Sequence, residues 1–394
     1  MKVFQINSFG NLSTGRIAVD IYKTLKEAGY DGIIAYARGS LEEGIPGVRI
    51  GSHFDLIVHG LFARFLDRSG AFSMHATKKL LREIELYSPD IIHLHNLHGY
   101  YINIPILFKY LKDKDIPVVW TLHDCWAFTG HCCYYSVAGC NRWQQQCYNC
   151  PQKKIYPASL LFDNSRKNYL QKKELFTGVD LQIVVVSRWL GDEVRKSFLQ
   201  NKRMTVIYNG IDTSVFKPTE SNFKAKYCLQ DKQIILGVAS TWSERKGLLD
   251  FIKLSYLLND QWRIVLVGVT DNEIGCFTSK MIGIKRLNCV SEVAEIYSAA
   301  NVFFNASTEE TFGMPTIEAM ACGTPVVVYN ATAIPEVVEE GCGFIVEPHD
   351  LPMVVRAIEN IDKVQMSQKC IETAKKYDKK KRFAEYIDLY QHMV

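Results

Sequence analysis

Ser307-Thr-Glu-Glu-Thr-Phe-Gly-Met-Pro-Thr-Ile-Glu-Ala-Met-Ala-Cys-Gly-Thr-Pro-Val-Val-Val328 holds, in one short run, a strand end, a tight turn, a helix and the next strand. The apolar run Val302-Phe303-Phe304 stops at Asn305-Ala306-Ser307, and the carboxylates Glu309 and Glu310 follow. Gly313 and Pro315 shape a turn, a helix is expected to start near Thr316, and Gly323-Thr324-Pro325 ends it. Glu318 is expected in that helix's first turn, across the turn from Glu310. A helix N-terminus offers unbonded N–H groups and the positive end of a dipole, which suits a phosphate. A carboxylate beside it accepts two hydroxyl hydrogen bonds, which suits a ribose or a sugar. The stretch therefore reads as a pocket for a molecule that carries both sugar hydroxyls and phosphate. An isolated pair of glutamates would read only as a solvated turn; the whole ordered string of turn and cap residues does not.

That string, Glu310 and Glu318 with Phe312-Gly313-Met314-Pro315 between them and Ala319-Met320-Ala321-Cys322-Gly323-Thr324-Pro325-Val326-Val327 after, resembles the signature of the family 4 glycosyltransferases. The resemblance implies a retaining, nucleotide-sugar-dependent enzyme of the hexosyltransferase class. It also implies the α/β GT-B fold, two Rossmann-like domains facing each other across a cleft. It is strong over about 183–350 and weaker in the N-terminal half, where the His123 region resembles enzymes of capsular, exopolysaccharide or lipopolysaccharide biosynthesis.

Length and composition agree with a two-domain globular protein: 394 residues, 47% hydrophobic and 22% charged. No apolar stretch of about 18 residues or more is present, and Met1-Lys-Val-Phe-Gln-Ile reads as a strand start rather than a signal peptide. A cytoplasmic protein is expected, with the inner face of the membrane as one location. The net charge of +4 is uneven: residues 1–187 carry +5 and the remainder −1. A basic N-terminal half fits either an anionic membrane contact or a plainly solvated surface. No dense basic run interleaved with aromatics points to nucleic acid.

Alternating strand and helix patterns predict parallel sheets flanked by helices. In the first half the strands are Lys2–Asn7, Gly32–Tyr36, Ile91–Leu94, Val118–Leu122 and Ile183–Val186. Helices are expected at Ile17–Ala28, through much of 54–86, at Ile104–Lys112 and from Arg188 to about Phe198. In the second half the strands are Ile234–Ala239, Ile264–Val267, Val302–Asn305, Val326–Tyr329 and Phe344–Val346, with a helix at Gly247–Leu258. Polar helices close the chain at about Leu351–Ile361 and Val364–His392. The expected division is an acceptor-side domain of 1–187 with a Cys-rich insertion at 125–155, a nucleotide-sugar domain of 188–370, and a tail, 371–394, that crosses back to the first domain.

Ligands bind beyond the carboxyl ends of strands in such sheets, and the remaining candidates fall there. Lys246, in the loop after Ile234–Ala239, can neutralise a diphosphate leaving group. The family places a Lys-Gly pair in this loop with an Arg five positions earlier; here that position is Thr241, and Arg245 is the alternative charge. Backbone N–H groups around Met314–Ile317 are expected at the diphosphate, with Gly313, Met314, Pro315, Thr316 and Ile317 lining the nucleotide-sugar site, Glu318 at the ribose and Glu310 at the donor sugar. His123, at the end of Val118–Leu122, matches the family histidine that touches the donor sugar. His95 and Asn96 are expected to line the acceptor side. His93, His95 and His98 together suggest a metal, but the family needs no catalytic metal and none is assigned. Gly15 resembles the family's glycine loop, although the usual paired glycines are replaced by Ser13-Thr14-Gly15.

Six of the twelve cysteines lie between Cys125 and Cys150. Cys132, Cys140, Cys147 and Cys150 could supply four thiolates to a structural zinc, with ligand spacing at Cys147-x2-Cys150 but looser spacings before it, while Trp126, Trp143, Tyr134 and Tyr135 fit an apolar plug instead. The expected partners are a nucleotide sugar donor and a glycan or lipid-linked acceptor. Two rival functions share these features: a nucleotide-sugar epimerase of the same fold, and a non-catalytic nucleotide-sugar-binding protein.

Overall fold

The computed structural model describes residues 1–287 and 289–394. The described residues form two compact units, Met1–Tyr208 with Arg382–Val394, and Asn209–Lys381. Each is built on one sheet in which all strand pairs are parallel.

The first sheet contains β1 (Lys2–Phe9), β2 (Asp31–Arg38), β3 (Gly47–Arg49), β4 (Ile91–Leu94), β5 (Val118–Leu122), β6 (Leu181–Val185) and β7 (Arg203–Val206), in the order β3-β2-β1-β4-β5-β6-β7. β4, β5 and β6 are buried along their whole length, so their sequences are near-continuous apolar runs. The chain winds one way from β1 to β3 and the other way from β4 to β7, which puts a topological switch point between β1 and β4. The helical stretch expected over 54–86 is two helices, His53–Leu66 and Met74–Tyr87. They are separated where Asp67 and Ser73 adopt the left-handed conformation. The helix Ser165–Thr177 and the short strand β3 were not anticipated; the former has too weak an apolar stripe and the latter is too short to show a period.

The last helix, Lys379–Gln391, supplies Phe383, Tyr386, Ile387 and Tyr390 to the core around Val3, Ile91, Val119 and Val184. Their i, i+3, i+4, i+7 spacing makes one apolar stripe. Polar hydrogen bonds fix it: Tyr386 OH meets Thr121 Oγ1 at 3.2 Å, and Tyr390 OH meets His93 Nδ1 at 2.6 Å.

The second sheet contains β8 (Gln233–Val238), β9 (Trp262–Val267), β10 (Met281–Ile284), β11 (Val302–Asn305), β12 (Val326–Tyr329) and β13 (Gly343–Val346), in the order β10-β9-β8-β11-β12-β13. Its switch point lies between β8 and β11. The helix expected over 364–392 is interrupted. It runs as Lys363–Ala374, then a tight turn at Lys375–Tyr377, then the last helix. Ile211 causes the interruption by donating its N–H to Tyr377 O and accepting from Lys379 N–H, both at 2.8 Å.

The division between units falls after Tyr208, not after Ser187 as expected. β7 hydrogen-bonds to β6, so residues 188–208 complete the first sheet. Of the expected 371–394 tail, residues up to Lys381 belong to the second unit and only Arg382–Val394 to the first.

Deleting the Phe383 ring from this closed core leaves a cavity. Phe383→Ala is expected to destabilise the first unit by about 3–5 kcal/mol, read as a lower urea midpoint. A loss below about 1 kcal/mol would mean that the last helix does not complete that core.

Candidate functional site: two strand-end clusters

In the second unit, the loops after β8 and β11 meet at the switch point. Thr308 N–H donates to Arg245 O at 2.9 Å, and Arg245 Nη1 donates to Glu309 O at 2.5 Å. Gly247 makes this approach possible. Its φ is +74°, and a Cβ there would lie 2.4 Å from Ala306 O. The side chain of the preceding Lys246 reaches the Glu310 carboxylate in a short ion pair, and Arg245 stands 4.0 Å from the other carboxylate oxygen. The Glu310 backbone is clamped as well: its N–H donates to Thr332 Oγ1 at 2.8 Å, and its carbonyl accepts from the same hydroxyl at 2.7 Å. Burial works against ionisation of Glu310, but the Lys246 and Arg245 charges outweigh it and hold the carboxyl below its ordinary range.

The helix that follows is Met314–Ala321, capped by Gly313 with φ +92°. It begins two residues earlier than expected, because Gly313 can take the left-handed conformation and Pro315 is well suited to a first turn. Glu318 is consequently not in the first turn but one turn further in, where it accepts from Tyr297 OH at 3.1 Å. Pro315 has no N–H, and that of Thr316 goes to Gly313 O at 3.0 Å. The amides suited to an anion are therefore those of Gly313 and Met314, because Ile317 N–H closes the first helical turn, fewer than the sequence suggested. Asn305 joins strand end to helix start through Nδ2 to Thr316 Oγ1 at 2.9 Å.

In the first unit, the histidines form a buried row at the β1–β4–β5 ends. Gln5 Nε2 donates to Ala18 O at 3.0 Å, which turns its Oε1 towards His95 Nε2, also at 3.0 Å. His95 must donate there, so its Nδ1 is an acceptor. It faces His123 Nε2 at 3.2 Å, which must then donate. The acceptor atom of His123 is therefore Nδ1. Burial pushes His123 down to about 4 despite the neighbouring Asp124, and His95 well below its ordinary range. Both rings are neutral near pH 7. His95 is fully buried beneath His123 rather than lining a surface, whereas Asn96 is partly exposed. His93 is tied to Thr121 and Tyr390 inside the core. Gly15 opens the helix Thr14–Glu27, and a Cβ there would meet Phe9 O at 2.6 Å, so its smallness serves close packing.

Sequence reading missed Gln5, whose one signal is a polar side chain inside an apolar strand. It also missed Lys172. This ammonium is buried, donates to Trp126 O at 2.6 Å and Thr129 O at 3.0 Å, and sits 3.4 Å above the Trp126 ring; burial lowers it to about 7. It pins the Cys-rich insertion to the helix Ser165–Thr177, and nothing in the local sequence announces that.

The insertion is a plug more than a metal module. Phe128, Tyr135 and Trp143 pack against one another in tilted and edge-on arrangements with centroids 4.7 to 6.4 Å apart. Among the described residues the four cysteines of the expected zinc set lie near one another, but no three of their sulfurs come within 4.8 Å of one another. Among the described residues the one group of three donor atoms lying within 4.8 Å of one another is His98, Asp124 and Cys133. Within it His98 Nε2 and Asp124 Oδ2 already face each other at 2.7 Å. Cys132 and Cys150 are adjacent: their hydrogen bond lowers Cys150 to about 7 and, with burial, raises Cys132. Cys147 Sγ instead accepts from Gly130 N–H at 3.2 Å.

Comparison with known proteins identifies this arrangement. A family model described as Glycosyltransferase Family 4 matches residues 14–215, half of the chain. The chain belongs to glycosyltransferase family 4. A second model, Glycosyl transferases group 1, matches residues 232–362, the unit that holds Lys246, Glu310 and Glu318. Among curated family relatives, the putative colanic acid biosynthesis glycosyl transferase WcaC of Escherichia coli K12 is 23% identical over 77% of each chain. The O-antigen chain mannosyltransferase RfbU of Salmonella typhimurium is 28% identical over 46% of this chain and 51% of its own. Among solved structures, sucrose-phosphate synthase of Thermosynechococcus elongatus superposes with a TM-score of 0.76 at 16% identity, covering 100% of this chain and 98% of that one. Anabaena HepE, in complex with UDP and glucose, gives 0.70 at 17% identity with full coverage of both chains. The fold is thus the GT-B fold of glycosyltransferases.

Neutral buried histidines make folding depend on pH. His59 and His123 sit at about 4 when folded against 6.5 ordinarily, so the folded state binds fewer protons than the unfolded chain. Their stability is full above about pH 6.5 and is lost as pH falls towards 4, at roughly 3 kcal/mol each. The urea midpoint should drop through that window; a flat or rising profile would contradict the histidine assignment. Separately, Gly247→Ala must strain the left-handed backbone and push Ala306 away. About 1–3 kcal/mol of stability should be lost, with donor affinity falling by about tenfold or more in calorimetry.

Proposed function

We propose that this glycosyltransferase moves a sugar, with retention, from a nucleoside-diphosphate sugar to a hydroxyl of a glycan or lipid-linked acceptor in surface polysaccharide synthesis. The observation that carries the reading is the Lys246–Glu310 pair, set at a sheet switch point beside the N-terminus of the helix Met314–Ala321. That position combines a cation and backbone amides for a diphosphate with carboxylates for sugar hydroxyls. UDP and glucose bound to HepE, and the colanic acid and O-antigen roles in the names of the relatives, support the donor class and the pathway class.

In this reading Glu318 holds the ribose hydroxyls and Glu310 lies along the donor sugar near its reacting carbon. Lys246, assisted by Arg245 and the amides at the helix start, takes up charge on the departing diphosphate. The bond from the anomeric carbon to the phosphate oxygen breaks and the bond to the acceptor oxygen forms on the same face. The acceptor proton passes to the leaving phosphate oxygen, so no protein carboxylate acts as nucleophile. His123, neutral and with Nδ1 as its acceptor atom, takes a hydrogen bond from a sugar hydroxyl. His98 and Asp124 stand in the same loop cluster, where the acceptor is expected. No metal enters the reaction, and the Cys-rich plug shapes the acceptor side. Among the described residues no helix is long and apolar enough to cross a membrane. A lipid-linked acceptor would be met at the anionic inner face of the membrane.

Glu310→Gln keeps the shape and removes the charge that answers Lys246. Transfer, measured as nucleoside diphosphate release in the presence of acceptor, should fall by about 10²–10³-fold while donor binding changes little. Undiminished turnover would remove Glu310 from the mechanism.

A further inference from the structure

The helix His53–Leu66 carries its apolar residues on the wrong side for a helix in water. The face turned inward holds Leu56, His59 and Ala63, and its His59 ring is hydrogen-bonded to Ser73 Oγ at 2.7 Å and Ser69 O at 3.2 Å. The outward face presents Phe54, Ile57, Leu61, Phe62 and Phe65, with Phe54 73% exposed. Helical spacing alone places these on one stripe.

A second apolar segment continues that stripe. Leu160 N–H donates to Arg64 O at 2.7 Å, and Asn164 Nδ2 donates to Leu66 O at 2.7 Å, so the loop is fastened to the helix's C-terminal end. It carries Leu160, Leu161 and Phe162, exposed by 64%, 62% and 54%. A contiguous exposed apolar surface of this kind marks a contact with another apolar phase.

Charge selects which phase. Exposed or half-exposed Arg64, Lys153, Lys154, Arg166 and Lys167 border the two segments, and Lys153 Nζ is hydrogen-bonded to Leu161 O at 3.3 Å. The acidic side chains among them are engaged locally. Asp55 caps its own helix through Ser52, Asp67 pairs with buried His131, and Asp163 accepts from Ser165 and Cys150. An apolar strip with a basic border fits the interface of an anionic bilayer.

We propose that the outer face of the helix His53–Leu66, with residues 160–162, lies in the surface of an anionic membrane. The surface adjoins the histidine cluster. His59 packs beside the Tyr100 ring at 6.1 Å, and Tyr156 OH, in the segment leading to Leu160, bonds His98 Nδ1 at 3.1 Å. A head group held at His98 would have its lipid carrier beside this strip. This last point rests on the glycosyltransfer reading; the membrane contact itself does not.

Flotation of the full chain with vesicles tests it. The chain should float with phosphatidylcholine vesicles that contain phosphatidylglycerol, more weakly with pure phosphatidylcholine, and less as salt is raised. Phe54→Ser with Leu161→Ser should cut binding by about tenfold or more. Lys153→Glu with Lys154→Glu should cut binding to the anionic vesicles by a similar factor and leave binding to neutral ones unchanged. These side chains are exposed, so melting curves should not move, and transfer to a water-soluble acceptor should persist. Equal flotation of all variants overturns the proposal. So does light scattering that shows a dimer lost in the Phe54/Leu161 variant, because the strip would then be a self-interface. Absence of transfer to any acceptor with vesicle binding intact would instead remove the catalytic reading.

Discussion

The second unit depends on one close approach: Gly247 against Ala306, with the Lys246–Glu310 pair directly beside it. Two loops from neighbouring strands are brought together there, and each supplies one charge. Placing this pair in a largely buried position costs desolvation, which at Glu310 the Lys246 and Arg245 charges outweigh. Its value is positional. Hydrogen bonds from Thr308 to Arg245, from Arg245 to the Glu309 carbonyl and between Thr332 and the Glu310 backbone hold the two loops in place, and the helix that starts at Gly313 adds backbone donors nearby. Electrostatic stabilisation of a departing anion requires donors that need no reorganisation, which is the role proposed for this scaffold.

The first unit uses a different device. Its strand ends hold a chain of neutral groups, Gln5, His95 and His123, in which each donor dictates the next acceptor. The orientation of an amide on β1 thus sets the proton position on a ring at the end of β5. Beneath it, Tyr386 and Tyr390 of the last helix close the core and satisfy Thr121 and His93. Residues distant in sequence therefore fix the protonation state of a histidine at the strand ends.

Much of this was legible in the chain. Fully buried parallel strands must be apolar throughout, so Ile91–Leu94, Val118–Leu122, Val302–Asn305 and Val326–Tyr329 were read with their observed ends. Gly313, Pro315 and Gly323 announced the turn and helix around the candidate phosphate site, since few residues tolerate those backbone conformations. The Lys246-Gly247 pair was likewise visible. Weak or short elements were not. Met281–Ile284 is a short strand with a glycine inside it, and the break in the last two helices arises from a backbone contact with Ile211. The cysteine spacing of the insertion suggested a metal, whereas packing of Phe128, Tyr135, Trp143 and the buried Lys172 accounts for its order.

By itself the sequence determined the class of fold and the buried strands with the turns that end them, because periodicity, turn residues and caps act over a few neighbouring positions. Only the tertiary structure decided that Lys246 meets Glu310, that His95 lies under His123, that residues 188–208 belong to the first sheet, and that one helix turns its apolar face outward. Those outcomes depend on which distant segments share a core or a hydrogen bond, and local sequence carries no record of that pairing.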